Sequence, residues 1–233
     1  MKDFAGFLVA GILIFATTVS GQTPRHSPPT PPAPLSRTVP FDDSKTPRPD
    51  AGRIVGATYS NAYFGLQLTI PQGWTVHDEE TNKKIMERGK EFAKAESAQQ
   101  QAAYDASIQR TLTLLTITSG TTLSSSTTGF QCMAERLPAA TTARDYVSSL
   151  KSLMLKSPVV ELKRDLYTET IDGVEFAAIQ TVMKYPKVAL QQTYHVTIKK
   201  GFALGLIHTS ADEGGAADLH KVMKSIRLTS LKP

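Results

Sequence analysis

The alternation of apolar and polar residues is clearest in the C-terminal third of the chain. It predicts four strands, over 159–171, 174–184, 189–198 and 202–209. Asp172–Gly173, between the first two, is typical of a two-residue hairpin turn. A stripe at helical spacing then predicts a closing helix, with its apolar side formed by Leu219, Val222, Met223 and Ile226.

The preceding half of the domain mixes strands and helices. Strands are predicted over Tyr63–Ile70, Thr111–Thr118 and Phe130–Leu137. A long helix is predicted over 79–109, with a thin apolar stripe and a break near Gly89 or Ser97, so it either packs shallowly or leaves the body of the domain. A second helix begins after Thr141 or Thr142 and runs to about Lys156. The pattern therefore predicts an α+β layered domain.

The N-terminal 52 residues have a different composition. Residues 1–21 combine Lys2, an apolar run over 4–19 and small residues before Gln22, which is typical of a cleaved secretory signal. The run is shorter than the roughly 20 residues that span a bilayer, although an uncleaved anchor remains the alternative. We therefore expect an extracytoplasmic protein, periplasmic or secreted, with no transmembrane span after cleavage.

Residues 22–52 hold nine of the fourteen prolines and few apolar side chains. Such a segment buries too little apolar surface to fold and is expected to be an extended, disordered linker. A ligand for a proline-recognising domain is the alternative interpretation. The remaining residues, 53–233, have the length of one domain.

Charge and cysteine content limit the function classes. The net charge is +5, and the basic residues are dispersed in pairs such as Lys199–Lys200, which does not favour nucleic-acid binding. The single cysteine, Cys132, excludes an internal disulfide and shares a strand face with Phe130 and Ala134, so it is expected to be buried. The chain lacks the motifs of serine hydrolases and zinc peptidases, and no catalytic residue is predicted.

Several segments together resemble the PsbP-like family. They are YFGLQLTIPQGW, the hairpin ETIDGVEFAAIQ, and KGFALGLIHTS followed by a helix ending KVMKSIRL. The resemblance covers about 58–229 and implies an α/β/α sandwich on an antiparallel sheet. Members of the family mostly bind or assist other proteins and are not known as enzymes. No metal-binding or partner-binding motif of the family matches this chain, so the resemblance implies no site residue.

His195 and His208 lie on adjacent predicted strands, and the turn between them decides whether they meet. A two-residue turn places them on one face, and a three-residue turn with Gly201 left-handed separates them. The apolar rows 194/196/198 and 202/204/206 share a face only with the longer turn. We therefore predict separated histidines and neither a metal site nor a bound cofactor.

On that register, Thr193, His195 and Thr197 face away from the apolar rows and lie opposite Ala203, Gly205 and Ile207. Either a helix packs closely over the small residues, or a small binding cleft is floored by the three polar side chains. The only tryptophan, Trp74, is predicted to plug the core, with ligand contact as the alternative.

The sequence thus predicts an exported, non-catalytic binding or accessory domain on a Pro-rich linker, with an envelope protein or a small ligand as partner. Two alternatives stay open. One is a hydrolase-like envelope enzyme with a site around His195. The other is a carrier of a small apolar ligand.

Overall fold

The computed structural model describes residues 49–92, 98–120, 128–137, 140–186 and 188–229. The predicted signal segment and residues 22–48 of the predicted linker lie outside the described residues. The strands are β1 (Arg53–Val55), β2 (Thr58–Asn61), β3 (Leu66–Thr69), β4 (Thr75–Val76), β5 (Thr111–Thr118), β6 (Gly129–Arg136), β7 (Val160–Ile171), β8 (Val174–Tyr185), β9 (Val188–Lys199), β10 (Phe202–Ser210) and β11 (Arg227–Leu228). The helices are α1 (Glu79–Phe92), α2 (Ala98–Arg110), α3 (Ala143–Met154) and α4 (Glu213–Ser225).

The strands form two antiparallel sheets. The large sheet has the order β4-β5-β6-β10-β9-β8-β7, and the small sheet has the order β1-β2-β3-β11. The α+β class is therefore confirmed, and the four C-terminal strands lie within one residue of their predicted bounds. The predicted long helix is two helices, α1 and α2. Strands β1, β2, β4 and β11 were not predicted.

Both faces of the large sheet are covered. One face packs against the small sheet and α4, and we call this the main core; it includes Phe64, Leu66, Cys132, Leu206 and Leu219. The other face packs against α3 through Tyr146, Val147 and Leu150. The layers are thus helix, large sheet, and small sheet with helix, because each sheet face must bury its apolar side chains.

Side-chain caps begin three of the helices, and at α1 the Asp78 Oδ1 accepts a hydrogen bond from the Thr81 backbone N–H at 2.8 Å. Thr142 Oγ1 accepts a hydrogen bond from the Asp145 backbone N–H at 3.1 Å at the start of α3. Asp212 Oδ1 accepts from the Gly215 N–H at 2.7 Å at the start of α4. Gly215 has no side chain where α4 approaches β6, and a Cβ there would lie 1.9 Å from Thr128 Oγ1. The sequence therefore fixes both where α4 begins and how closely it packs.

The turn between β9 and β10 corrects the predicted register. Lys200 and Gly201 both have positive φ, 53° and 77°, and form a two-residue turn. His195 therefore lies opposite Leu206, and His208 opposite Thr193, so both histidines are on the main-core face. The prediction of separated histidines was wrong because it required the two apolar rows of the hairpin to share one face, whereas both faces of the large sheet are buried and each face takes one row. Tyr194 and Val196 pack on the α3 face while Leu204 and Leu206 pack in the main core.

Candidate functional site

A strip of polar side chains crosses the main-core face of the large sheet from its β7 edge. We call it the polar strip; its members are Arg164, Tyr167, Glu169, Gln180, Thr193, His195 and His208. Cross-strand pairing places Tyr167, Ala178 and His195 in one row, and Arg164, Gln180, Thr193 and His208 in the next. Strand β7 has two register shifts, around Arg164, and such bulges re-aim side chains at a sheet edge.

The centre of the polar strip is a contact between a histidine and a carboxylate. His195 is 2% exposed, and its Nε2 lies 2.9 Å from Glu169 Oε2. Because a carboxylate can only accept, Nε2 carries the proton and Nδ1 is left as an acceptor. Within the described part of the chain, the buried Nδ1 has no hydrogen-bond partner.

The two histidine rings are stacked, with centroids 5.4 Å apart and an interplanar angle of 22°. Burial lowers the pKa of His195, and the hydrogen bond to Glu169 opposes this effect. Burial, together with the neighbouring His195, lowers the pKa of His208 to about 3. Both rings are therefore neutral at pH 7, which makes them hydrogen-bonding groups and weak bases.

At the β7 edge of the polar strip, two side chains contact the aromatic side chain of Tyr167. The Arg164 guanidinium carbon lies 3.6 Å above the centroid of the Tyr167 ring, and the Gln180 amide contacts the Tyr167 hydroxyl at 3.4 Å. Burial, and then the charge of Glu169, raises the pKa of the Tyr167 phenol. In the described ranges, no group of three or more His, Cys, Asp or Glu side chains is arranged to hold a metal ion.

The structure brings three of the four candidate residues together. Thr193 and Thr197 are each 7% exposed and flank His195 on one face. They lie opposite His208 and Leu204, which corrects the predicted opposition to Ala203, Gly205 and Ile207. Ala203, Gly205 and Ile207 lie on the α3 face, where α3 covers the sheet.

The fourth candidate, Trp74, lies elsewhere. It directly precedes β4, four strand positions from β9, which is about 19 Å at the usual strand spacing. Its half-buried side chain packs against the main core. Trp74 and His195 are therefore not parts of one site.

A solvent-open cavity of about 570 Å³ lies at the small sheet, and we call it the β1–β3 cleft. Its lining comes from the chain before β1, the first three strands with the turn between β2 and β3, and the residue after β11. The lining residues are Asp50, Gly52, Arg53, Ser60, Asn61, Ala62, Gly65, Leu66, Gln67 and Thr229.

Hydrogen bonds fix the wall of the β1–β3 cleft. The Tyr59 hydroxyl donates to Ala51 O at 2.9 Å, and Asn61 Nδ2 donates to Asp50 O at 2.8 Å. Gly52 has a φ of 81°, and a Cβ there would lie 2.6 Å from Ser60 O. The segment before β1 is thus held directly against β2, and the cleft is preformed.

The outer face of the small sheet contributes a row of polar side chains to this cleft. Arg53 pairs with Ser60, and Ser60 pairs with Gln67, so their side chains project on the same side. The alternate residues, including Tyr59 and Leu68, are buried on the inner side. Sequence reasoning missed this row because β1 and β2 are so short. The two-residue loop Gly56–Ala57, with Gly56 at φ 59°, was the available hairpin signal.

Sequence reasoning also missed a buried carboxylate beneath α2 and α3. Glu135 is fully buried and accepts hydrogen bonds from Ser107 Oγ at 2.7 Å and the Tyr146 hydroxyl at 2.6 Å. The Arg110 Nη2 lies 3.5 Å from Glu135 Oε1. Burial raises the pKa of Glu135, while these donors and the arginine oppose the effect. Glu135 therefore fastens two helices to β6.

Comparisons with known proteins give structural neighbours only. No family model matches the chain, and no curated protein does. Solved structures similar to it include the cyanobacterial PsbP protein CyanoP from Synechocystis, with a TM-score of 0.46 and 13% identity over 76% of this chain and 96% of that one. LpqN of Mycobacterium tuberculosis, which is involved in cell envelope biogenesis, has a TM-score of 0.44 and 11% identity over 71% and 83%.

A protein from Bacteroides thetaiotaomicron has a TM-score of 0.41 and 8% identity over 75% of this chain. This chain spans about half the length of that neighbour, 49%. No helix among the described residues is long and apolar enough to cross a membrane. The α+β class rests on the order and pairing of the strands and helices themselves.

Proposed function

We propose that this chain is an exported, non-catalytic binding or accessory domain that holds a small polar ligand in the β1–β3 cleft. The observation that carries the proposal is the preformed cavity of about 570 Å³, since ligand sites in proteins commonly measure about 300–1,000 Å³. Asp50 and Arg53 are the ionisable side chains among the lining residues. Charged, amide and hydroxyl groups of this kind favour a polar ligand over an apolar one.

The proposal places the protein outside the cytoplasm. It is supported by the signal-like residues 1–21 and the Pro-rich residues 22–52. A PsbP-like relationship is part of the same proposal and is supported by the sequence segments described above. Cell fractionation of the natural host with an antibody against the folded domain tests the location, and recovery in the cytoplasm would contradict it.

Ligand binding is tested with the full chain after signal removal. Amide NMR spectra recorded with pools of monosaccharides, amino acids and small organic acids are expected to show shifts confined to residues 50–67 and 229. A response confined to the polar strip, or no response to any pool, would overturn the proposal for this cleft.

A hydrolase-like activity at the polar strip is the second candidate, favoured by the His195–Glu169 contact. A general base that is oriented by a carboxylate is a recurring arrangement in hydrolases. The activity predicts turnover of ester or amide substrates that His195→Gln abolishes. Equal turnover by the parent and this variant would eliminate it.

A further inference from the structure

The guanidinium of Arg53 is unused, in contrast to those of Arg110, Arg164 and Arg227. Arg110 contacts Glu135, Arg164 lies over Tyr167, and Arg227 donates to the carbonyls of Lys224 and Ile226. Among the residues that the structure describes, the Arg53 side chain has no hydrogen-bond or ion-pair partner, although it lines the β1–β3 cleft. A guanidinium that lines a preformed cavity with all five donors available is arranged to receive an acceptor.

The chemistry of a guanidinium selects the acceptor. Its planar fork matches a carboxylate or a phosphate through two parallel hydrogen bonds. Asp50 lines the same cleft, and its Oδ1 accepts from the Gly52 N–H at 2.9 Å. The Asp50 carboxylate repels any anionic ligand, and it repels a phosphate, which carries nearly two negative charges, more strongly than a carboxylate, which carries one. Asp50 therefore favours a carboxylate over a phosphate.

The rest of the row defines what else the ligand carries. Ser60 and Gln67 follow Arg53 across the sheet, so the row spans about 10 Å over three strands. A hydroxyl and an amide each donate and accept, and the free lone pairs of Asp50 only accept. The ligand that complements this row has one carboxylate at the Arg53 end and several hydrogen-bond donors along its length.

We infer that the β1–β3 cleft binds a small monocarboxylate that also carries hydroxyl, amide or ammonium donors. Arg53 pairs with its carboxylate, and Asp50, Ser60 and Gln67 take the donors. The inference rests on the proposed function of this cleft and adds the class of ligand to it.

Matched probes separate charge from shape. Glucuronate, glucose and glucose 6-phosphate share a sugar ring and differ in the carboxylate or phosphate, and serine and serinamide differ in the carboxylate alone. Titrations followed by amide NMR are expected to show at least tenfold tighter binding of a carboxylate probe than of its neutral counterpart. The shifts are expected at residues 50–67 and 229.

Variants test the assigned residue. Arg53→Gln is expected to weaken the binding of the carboxylate probe at least tenfold, and Arg53→Lys is expected to restore part of it, because lysine keeps the charge without the fork. Arg144→Gln on α3 removes the same charge at a distance and is expected to change nothing. Each variant is first compared with the parent by circular dichroism, so that unfolding is recognised.

The outcomes separate the ligand class from the cleft itself. Equal binding of neutral and carboxylate probes, unaffected by Arg53→Gln, would overturn the carboxylate and leave the cleft as a polar ligand site. Preferential binding of glucose 6-phosphate would replace the carboxylate with a phosphate. If no probe binds, the ligand class is wrong, and the broader pools described above decide separately about the cleft.

Discussion

Removal of one hydroxyl, in Tyr146→Phe, tests how the helical layer is attached to the sheet. The Tyr146 hydroxyl donates to Glu135 Oε2 at 2.6 Å beneath α2 and α3, where the carboxyl is fully buried. A hydrogen bond to a charged group contributes about 1.5–3 kcal/mol, so we expect a loss of about 2 kcal/mol at pH 7. For a domain of this length, that corresponds to a fall in Tm of about 4–8 °C.

The loss is also expected to depend on pH. Burial holds the pKa of Glu135 above its ordinary value, so its contribution to stability is present below that ordinary value and is lost as pH rises through the raised one. Loss of the Tyr146 donor raises the pKa further, because the charged form loses more than the neutral acid does. Tyr146→Phe therefore destabilises the domain more at pH 7 than at pH 4.

Urea unfolding followed by circular dichroism, at pH 4 and pH 7, measures both effects. Tyr63→Phe is the matched control, because the half-buried Tyr63 makes ring contacts with Phe64 and Phe202 and its hydroxyl bonds to no described residue. We expect that control to change the free energy of unfolding by less than about 0.5 kcal/mol. Equal effects of the two substitutions, or a larger loss at pH 4, would refute the reasoning.

Three further predictions concern stability. Because burial lowers the pKa of His208 from 6.5 to about 3, the free energy of unfolding should fall as pH drops through that interval, by up to about 1.4 kcal/mol per pH unit. His208→Leu should flatten this pH dependence of the free energy of unfolding, and an unchanged pH dependence would count against the prediction. Trp74→Ala should lower the free energy of unfolding in urea by about 2 kcal/mol, because the side chain is half-buried and a fully buried tryptophan would cost roughly 3–5 kcal/mol. A loss of roughly 3–5 kcal/mol or more would contradict the half-buried position. Gly215→Ala should lower the Tm although alanine normally favours a helix, because the new Cβ would collide with Thr128, and adding Thr128→Ala should recover part of the loss. A Tm raised by Gly215→Ala alone would contradict the close contact between α4 and Thr128.

The sequence predicted elements wherever one pattern ran for eight or more residues. Strands β7 to β10, the Asp172–Gly173 turn and the capped helix α3 all fall in such stretches, and the structure confirms them. The small sheet was largely missed because β1, β2 and β11 have two to four residues, too few for alternation to be recognised. The β1–β3 cleft depends on those strands and was therefore missed with them.

The register of the β9–β10 hairpin shows a different limit. Burial fixes a register when one face of a sheet is wet, since a slip would then expose apolar side chains. Here Val196 packs under α3 and Leu206 packs in the main core, so an apolar row suits either face. The register follows from the two-residue turn, in which Lys200 and Gly201 both have positive φ. A positive φ is uncommon for lysine, so the sequence does not indicate this turn.

The small sheet also has a consequence for the order of events during synthesis. Its first three strands come from residues 53–69 and its fourth from residues 227 and 228, so about 160 residues separate the paired strands β3 and β11. Contacts of such long range slow folding, because loop closure must precede them. On a growing chain, β3 can pair with β2 but lacks β11, and the cleft lacks Thr229, until nearly the whole domain has been made. The ligand site that we propose is therefore completed late in synthesis, although nine of its ten lining residues are among the first of the domain to be made.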